Sequence, residues 1–293
     1  MADHLSEDED ERLGPAFAHC EAMVREADAD RFLASLFIPA DKRPYCLALY
    51  AFSLEIARVR EIVSMPLPGE MRYQWWRDAL DEPEPRGDVA AHPVAAALLA
   101  TITRFRLPRQ ALIDLIEARV FDLYDDPLLS IGDLEGYAGE TASSLIRLAS
   151  LILADGGDAG PADAAGHAGV AQAVTGLLRA LPWHARRGQL YLPADVLARA
   201  GATREEVLAG QRSPSLDVAL AELRGLADRH YRAGLDYLAM VPLAVRPVYL
   251  PTMLVPAYLK RMSRPDYDPF RSIVDLPQWR KQWLLWRAAR RLR

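Results

Sequence analysis

The chain has 293 residues, 51% of them hydrophobic and 26% charged, the balance of a soluble globular protein with enough length to bury a sizeable core. Its net charge of −5 gives no global attraction to nucleic acid, and its two cysteines, Cys20 and Cys46, offer neither a disulfide framework nor metal-ligand spacing. No run approaches 18 uninterrupted apolar residues, so none is expected to span a membrane. The acidic opening DHLSEDEDER lacks an apolar h-region and is unlike an Arg-rich transit peptide, which points to a reducing, cytoplasmic setting. Arg far outnumbers Lys (Lys42, Lys260 and Lys281 only) and Ala is abundant, a composition typical of a GC-rich bacterial genome.

Along the chain, residues 1–12 form an acidic tip expected to be disordered. The stretch PVAAALLATITRF predicts a helix opening at Pro93, with apolar residues at 94, 98, 102 and 105 on one face. RQALIDLIEARVFDLY predicts a second that ends near Asp125-Asp126-Pro127, because the residue before Pro resists the α region. A third, DLEGYAGETASSLIRLASLILADGG, closes on a Gly pair suited to a C-cap. HAGVAQAVTGLLRAL follows, with an interruption expected at Pro182. LDVALAELRGLADRHYRAGLDYLAMV and PVYLPTMLVPAYLKRM keep the same period. No alternating strand run, hairpin signal or short repeat is present, and the Pro/Gly/Asp loops are too short to be linkers. The expected organisation is all-α: the tip at 1–12, one helical domain over 13–276, and a basic amphipathic helix over 277–293.

Several side chains are candidates on their own chemistry. Asp122, Asp125 and Asp126 look metal-binding in isolation, although a helix end running into a turn accounts for them equally. Trp75 and Trp76 could stack a ligand, but aromatics at helical spacing are more often core. His92 and His167 lie near helix starts and read as capping or solvent-facing, and His184 as a hydrogen-bonded structural histidine. No Cys/His cluster or Ser-His-Asp spacing stands out. In the C-terminal WRKQWLLWRAARR, Trp279, Trp283 and Trp286 recur at i, i+4 and i+7 among Arg280, Lys281, Arg287 and Arg291. That is the pattern of an interfacial helix, or of a last core helix with a frayed tail.

Three segments together carry a family resemblance. HPVAAALLATITRFRLPRQALIDLIEARVFDL resembles the central segment of squalene/phytoene synthases, YCLALYAFSLEIARVRE their first Asp-rich segment, and GVAQAVTGLLRALPWHARRGQLYLPADVL their second. The resemblance implies an isoprenoid-synthase-like helical bundle around a central cavity. It also implies ionisation of a prenyl diphosphate whose leaving group is held by Mg²⁺ on carboxylates spaced i, i+4 on two facing helices. On the family pattern those aspartates fall at 57, 58, 61, 180 and 184, where this chain has Ala57, Arg58, Glu61, Ala180 and His184. An arginine about 4 Å from a cation site is opposed by about 4 kcal/mol at an effective dielectric near 20. The segments LEIARVREIVS, MRYQWWRDAL, LEGYAGETASSL and LLRALPWHARRGQLYLP are more similar to the family's non-catalytic branch of complex I assembly factors.

This resemblance implies a catalytically silent protein without cofactor, working in assembly or stabilisation of respiratory complex I. Its implied partners are complex I subunits or assembly intermediates, an isoprenoid or lipid ligand, and the inner-membrane surface. Two alternatives stay open: a prenyl transferase with a rebuilt, Mg²⁺-dependent site, and a peripheral lipid-binding protein using Trp279, Trp283, Trp286, Arg280, Lys281 and Arg287. Arg58, Glu61, Asp122, Arg179, His184, Arg186 and Arg187 are the ligand- or anion-binding candidates. The cations among them could hold a phosphate in place of metal ions. They could instead pair with nearby acids, as Arg58 could with Glu55 and Glu61 at i−3 and i+3.

Overall fold

A computed structural model of the protein describes residues 7–82, 87–124 and 126–292, with side chains from residue 13. The regular elements among them are helical, as the 3.6-residue periodicity predicts. Packing groups them into two units that interleave in sequence.

The first unit draws on residues 1–124, 147–160 and 242–248. It holds α1 (Glu7–Ala27), α2 (Ala29–Ser35), α3 (Arg43–Ile62), α4 (Pro66–Asp81), α5 (Gly87–Ala91), α6 (Pro93–Phe105) and α7 (Arg109–Val120). Residues 7–12 of the expected acidic tip thus belong to α1, and residues 1–6 lie outside the described residues. α3 is central and packs against α1, α2, α4, α6 and α7. Its first half is buried all round, from Cys46 to Ser53, which is what an unbroken run of apolar and small side chains dictates. The Tyr73 hydroxyl lies 3.1 Å from the carbonyls of both Ile56 and Arg119, so it can donate to either and fastens α4 to α3 and α7. α6 begins at Pro93 as its sequence predicts, and the preceding His92 caps it by accepting the Ala95 N–H at Nδ1.

The second unit draws on residues 125–146, 161–241 and 249–293. Its elements are α8 (Ile131–Ala138), a π-helical turn over Gly139–Ser143, α10 (Ala162–Arg186), α11 (Ala194–Ala200), α12 (Arg204–Leu208), α13 (Pro214–Leu238), α14 (Val255–Met262) and α15 (Gln278–Arg291). Between them α9 (Ser144–Ala154) carries the chain into the first unit. There Asp155, just past its end, receives Lys42 at 3.7 Å and Arg104 at 3.2 Å. The spine of the second unit is α10 against α13, each 25 residues long. Starts are set by side-chain caps: Ser130 with Asp133, Thr203 with Glu206, and Ser213 on the Leu216 N–H. α10 runs so close to the π turn that a Cβ on Gly169 would collide with the Ser143 backbone. Ser143 Oγ in turn donates to the Gly166 carbonyl at 2.8 Å.

Two expectations of local structure are corrected. α10 is not interrupted at Pro182 but continues to Arg186. Pro182 removes one donor from the helix ladder, yet its ring is buried, and the packing of α10 outweighs that loss. The first part of PVYLPTMLVPAYLKRM falls in a 3₁₀ segment, Arg246–Leu254, rather than in an α-helix, with Pro251 inside it. Among the described residues, no helix is long and apolar enough to cross a membrane.

Candidate functional site

In the first unit, the last turns of α3 present Ala57, Arg58 and Glu61. Burial fades along this helix, so Ala57 is half-buried while Arg58 and Glu61 are exposed. The expected pairing of Arg58 with Glu55 and Glu61 is not formed, and Arg58 makes no ion pair among the described residues. Such helix-surface pairs contribute only a few tenths of a kcal/mol, too little to overcome the entropy of a long exposed side chain. Asp122 sits in the 3₁₀ turn after α7, 4% exposed, with Arg119 Nη1 3.1 Å from its Oδ2. Asp126 is exposed, and Asp125 lies outside the described residues. Trp76 is core, edge-on to Phe52 at 5.0 Å between centroids, whereas Trp75 is half-buried and donates from Nε1 to Asp88 at 2.8 Å. Cys20 and Cys46 are both fully buried and unlinked, and burial raises both thiols, Cys20 to about 12.

In the second unit, the C-terminal part of α10 carries Arg179, Ala180, His184 and Arg186. Arg179 is held in place: Nε donates to the Val274 carbonyl at 3.0 Å, Nη2 lies 3.5 Å from Asp275 Oδ1, and the guanidinium sits 3.8 Å from the Tyr258 ring centroid. The same Asp275 oxygen accepts from the Tyr258 hydroxyl at 3.4 Å and from Lys281 Nζ at 2.7 Å. Burial alone would raise the Asp275 carboxyl. The Lys281 hydrogen bond, the Leu276 N–H and the charges of Lys281 and Arg179 outweigh it and hold the group below its ordinary range. His184 packs against Tyr191, with 4.7 Å between centroids, and Tyr191 in turn against Tyr137. Arg186 and Arg187 are exposed, the former 5.8 Å from the Trp183 centroid. The turn that follows α10 closes at Gly188, whose φ of +75° lies in the left-handed region that favours a residue without a Cβ.

Two further groupings differ from expectation. His167 is not a cap at a helix start. It is half-buried within α10, its Nδ1 3.0 Å from Nδ1 of His230 on α13 and its ring stacked on Tyr237. His230 Nε2 reaches Glu135 on α8 at 2.9 Å, so one chain of polar contacts crosses three helices. On α15, Lys281 is not outward-facing but 5% exposed and bound to Asp275. Trp279, Trp283 and Trp286 do face outward. Asp275, Tyr258 and the His167–His230–Glu135 chain were absent from the sequence candidates. The inward placement of Lys281 could have been found, because it shares a helical stripe with buried Leu285.

Residues 24–287 match the sequence profile described as squalene/phytoene synthase, and the chain belongs to that family. It is 31% identical over 277 residues to NADH dehydrogenase (ubiquinone) complex I, assembly factor 6 of Rattus norvegicus, covering 90% of this chain and 82% of the relative. It is 25% identical over 304 residues to 15-cis-phytoene synthase of Synechococcus elongatus, covering 92% and 91%. The crystal structure of a dehydrosqualene synthase in complex with ligand superposes with a TM-score of 0.79 at 19% identity, over 97% of this chain and 99% of that one. The fold is therefore that of the isoprenoid synthases.

Proposed function

We propose that this protein performs no prenyl-transfer chemistry and acts by binding, in the assembly or stabilisation of respiratory complex I. The observation that carries the reading is the donor chemistry at positions 57, 58, 61, 180 and 184: of Ala57, Arg58, Glu61, Ala180 and His184, only Glu61 is a carboxylate. Mg²⁺ needs near-octahedral oxygen ligation, and these residues do not fit it. Within either unit, among the described residues, no three His, Cys, Asp or Glu side chains group so as to hold a metal ion. Arg179, the cation beside position 180, is already engaged by Asp275, Val274 and Tyr258. The higher identity to the assembly factor than to the phytoene synthase supports the same reading. No cofactor enters it.

The test is complementation. Cells lacking the protein should contain less assembled complex I, and a Glu61→Gln variant should restore it as well as the unaltered chain does. Failure of a folded Glu61→Gln protein to restore assembly would instead favour a catalytic site rebuilt around that carboxylate.

A further inference from the structure

We propose that the outward face of α15 is a docking surface for an anionic lipid bilayer, on which the helix lies flat with Trp279, Trp283 and Trp286 in the headgroup layer. The surface is independent of the assembly reading, since it would seat the protein on a membrane whatever it binds there.

The helix has two sides with separate tasks. Leu285 is fully buried and Lys281 is 5% exposed, its ammonium fixed to Asp275, so this side joins α15 to the rest of its unit. The opposite side carries Trp279 at 69% exposure, Trp283 at 48% and Trp286 at 50%, each about one turn from the next. Arg287 lies 5.3 Å from the Trp283 centroid and Arg290 4.9 Å from that of Trp286. Indoles and guanidiniums therefore form one patch rather than an apolar face and a polar one. Three exposed indoles clustered on one helix face, with cations among them, mark an interaction site.

Three observations commit the patch to a bilayer. Indole joins a large apolar body to a polar edge, which suits the headgroup layer better than a dry protein interface. Residues 276–293 contain no Asp or Glu and, besides the buried Lys281, carry Arg280, Arg287, Arg290, Arg291 and Arg293, in a chain whose net charge is −5. This local charge is complementary to anionic headgroups. Lastly, α15 has 14 residues, about 21 Å of helix, and is too short and too charged to cross, so on a bilayer it would lie along the surface.

The experiment is flotation of the full chain with vesicles of phosphatidylcholine alone and of phosphatidylcholine mixed with phosphatidylglycerol. Binding is expected to the mixed vesicles only, and to weaken as salt is raised. Replacing Trp279, Trp283 and Trp286 together by Ser should abolish it. Replacing Arg280, Arg287 and Arg290 by Gln should lower partitioning about fivefold per arginine, on the order of 100-fold in all. Because these side chains point outward, both variants should unfold at the same denaturant midpoint as the parent. No binding to anionic vesicles, unchanged binding by the folded Trp variant, or a concentration-dependent dimer that the Trp variant dissolves without vesicle binding would each overturn the proposal.

Discussion

The Lys281 ammonium lies 2.7 Å from Asp275 Oδ1, and the Arg179 guanidinium approaches the same oxygen at 3.5 Å. One carboxylate therefore fixes α15 and also occupies the arginine that the sequence offered as an anion ligand.

The two partners should respond unequally to substitution. Asp275→Ala removes the carboxylate from beside a buried ammonium and should destabilise the protein by about 1–2 kcal/mol, the exposure of Asp275 keeping the loss moderate. Lys281→Met keeps the volume and removes the buried charge, so its cost should stay below about 1 kcal/mol. Asp275 is held below its ordinary value of 3.8, so its contribution is fully present above that pH and is lost as pH falls further. Urea midpoints of the parent and Asp275→Asn should keep a constant gap down to pH 3.8 and converge below it.

Gly169 should not tolerate a side chain. A Cβ there meets the backbone of Ser143 in the π turn, which cannot swing aside, so Gly169→Ala should lower stability by about 1–3 kcal/mol. At Gly69 the obstacle is the tip of the Leu123 side chain, which can rotate, and Gly69→Ala should cost less. Paired denaturation curves test the ordering.

His167 should make the fold acid-sensitive. Burial, and secondly the neighbouring His230, hold its pKa below the ordinary 6.5. The unfolded chain then takes up a proton first, so stability is full above pH 6.5 and declines as pH falls from there towards the folded value. His92, also lowered by burial, adds to the same slope. His167→Gln should flatten the decline in midpoint below pH 6.5 without removing it; an unchanged slope would refute the assignment.

What was legible in the sequence was local. The residue types at 57, 58, 61, 180 and 184 needed no coordinates, and Pro93 with its apolar stripe placed α6 correctly. The period of Trp279, Trp283 and Trp286 likewise placed them on one face, but whether that face met solvent or core was settled only by their exposure in the structure. What was not legible depends on distant neighbours. Asp275 lies 96 residues from Arg179, and nothing in either segment announces the pairing. Lys281 stands among other cations and reads as solvated, as most lysines are, until a carboxylate from the preceding loop is placed beside it. Pro182 ends most helices locally, but here tertiary packing overrides propensity. The His167–His230 contact is set by α10 lying on α13, which no helical period specifies.

The central proposal, that this chain holds no working Mg²⁺–diphosphate site, is tested most directly by calorimetric titration with a non-ionising farnesyl thiodiphosphate, with and without Mg²⁺. The account predicts that Mg²⁺ makes no difference: either no binding in both conditions, or equal binding through exposed arginines such as Arg58. Binding that appears only when Mg²⁺ is present would contradict it.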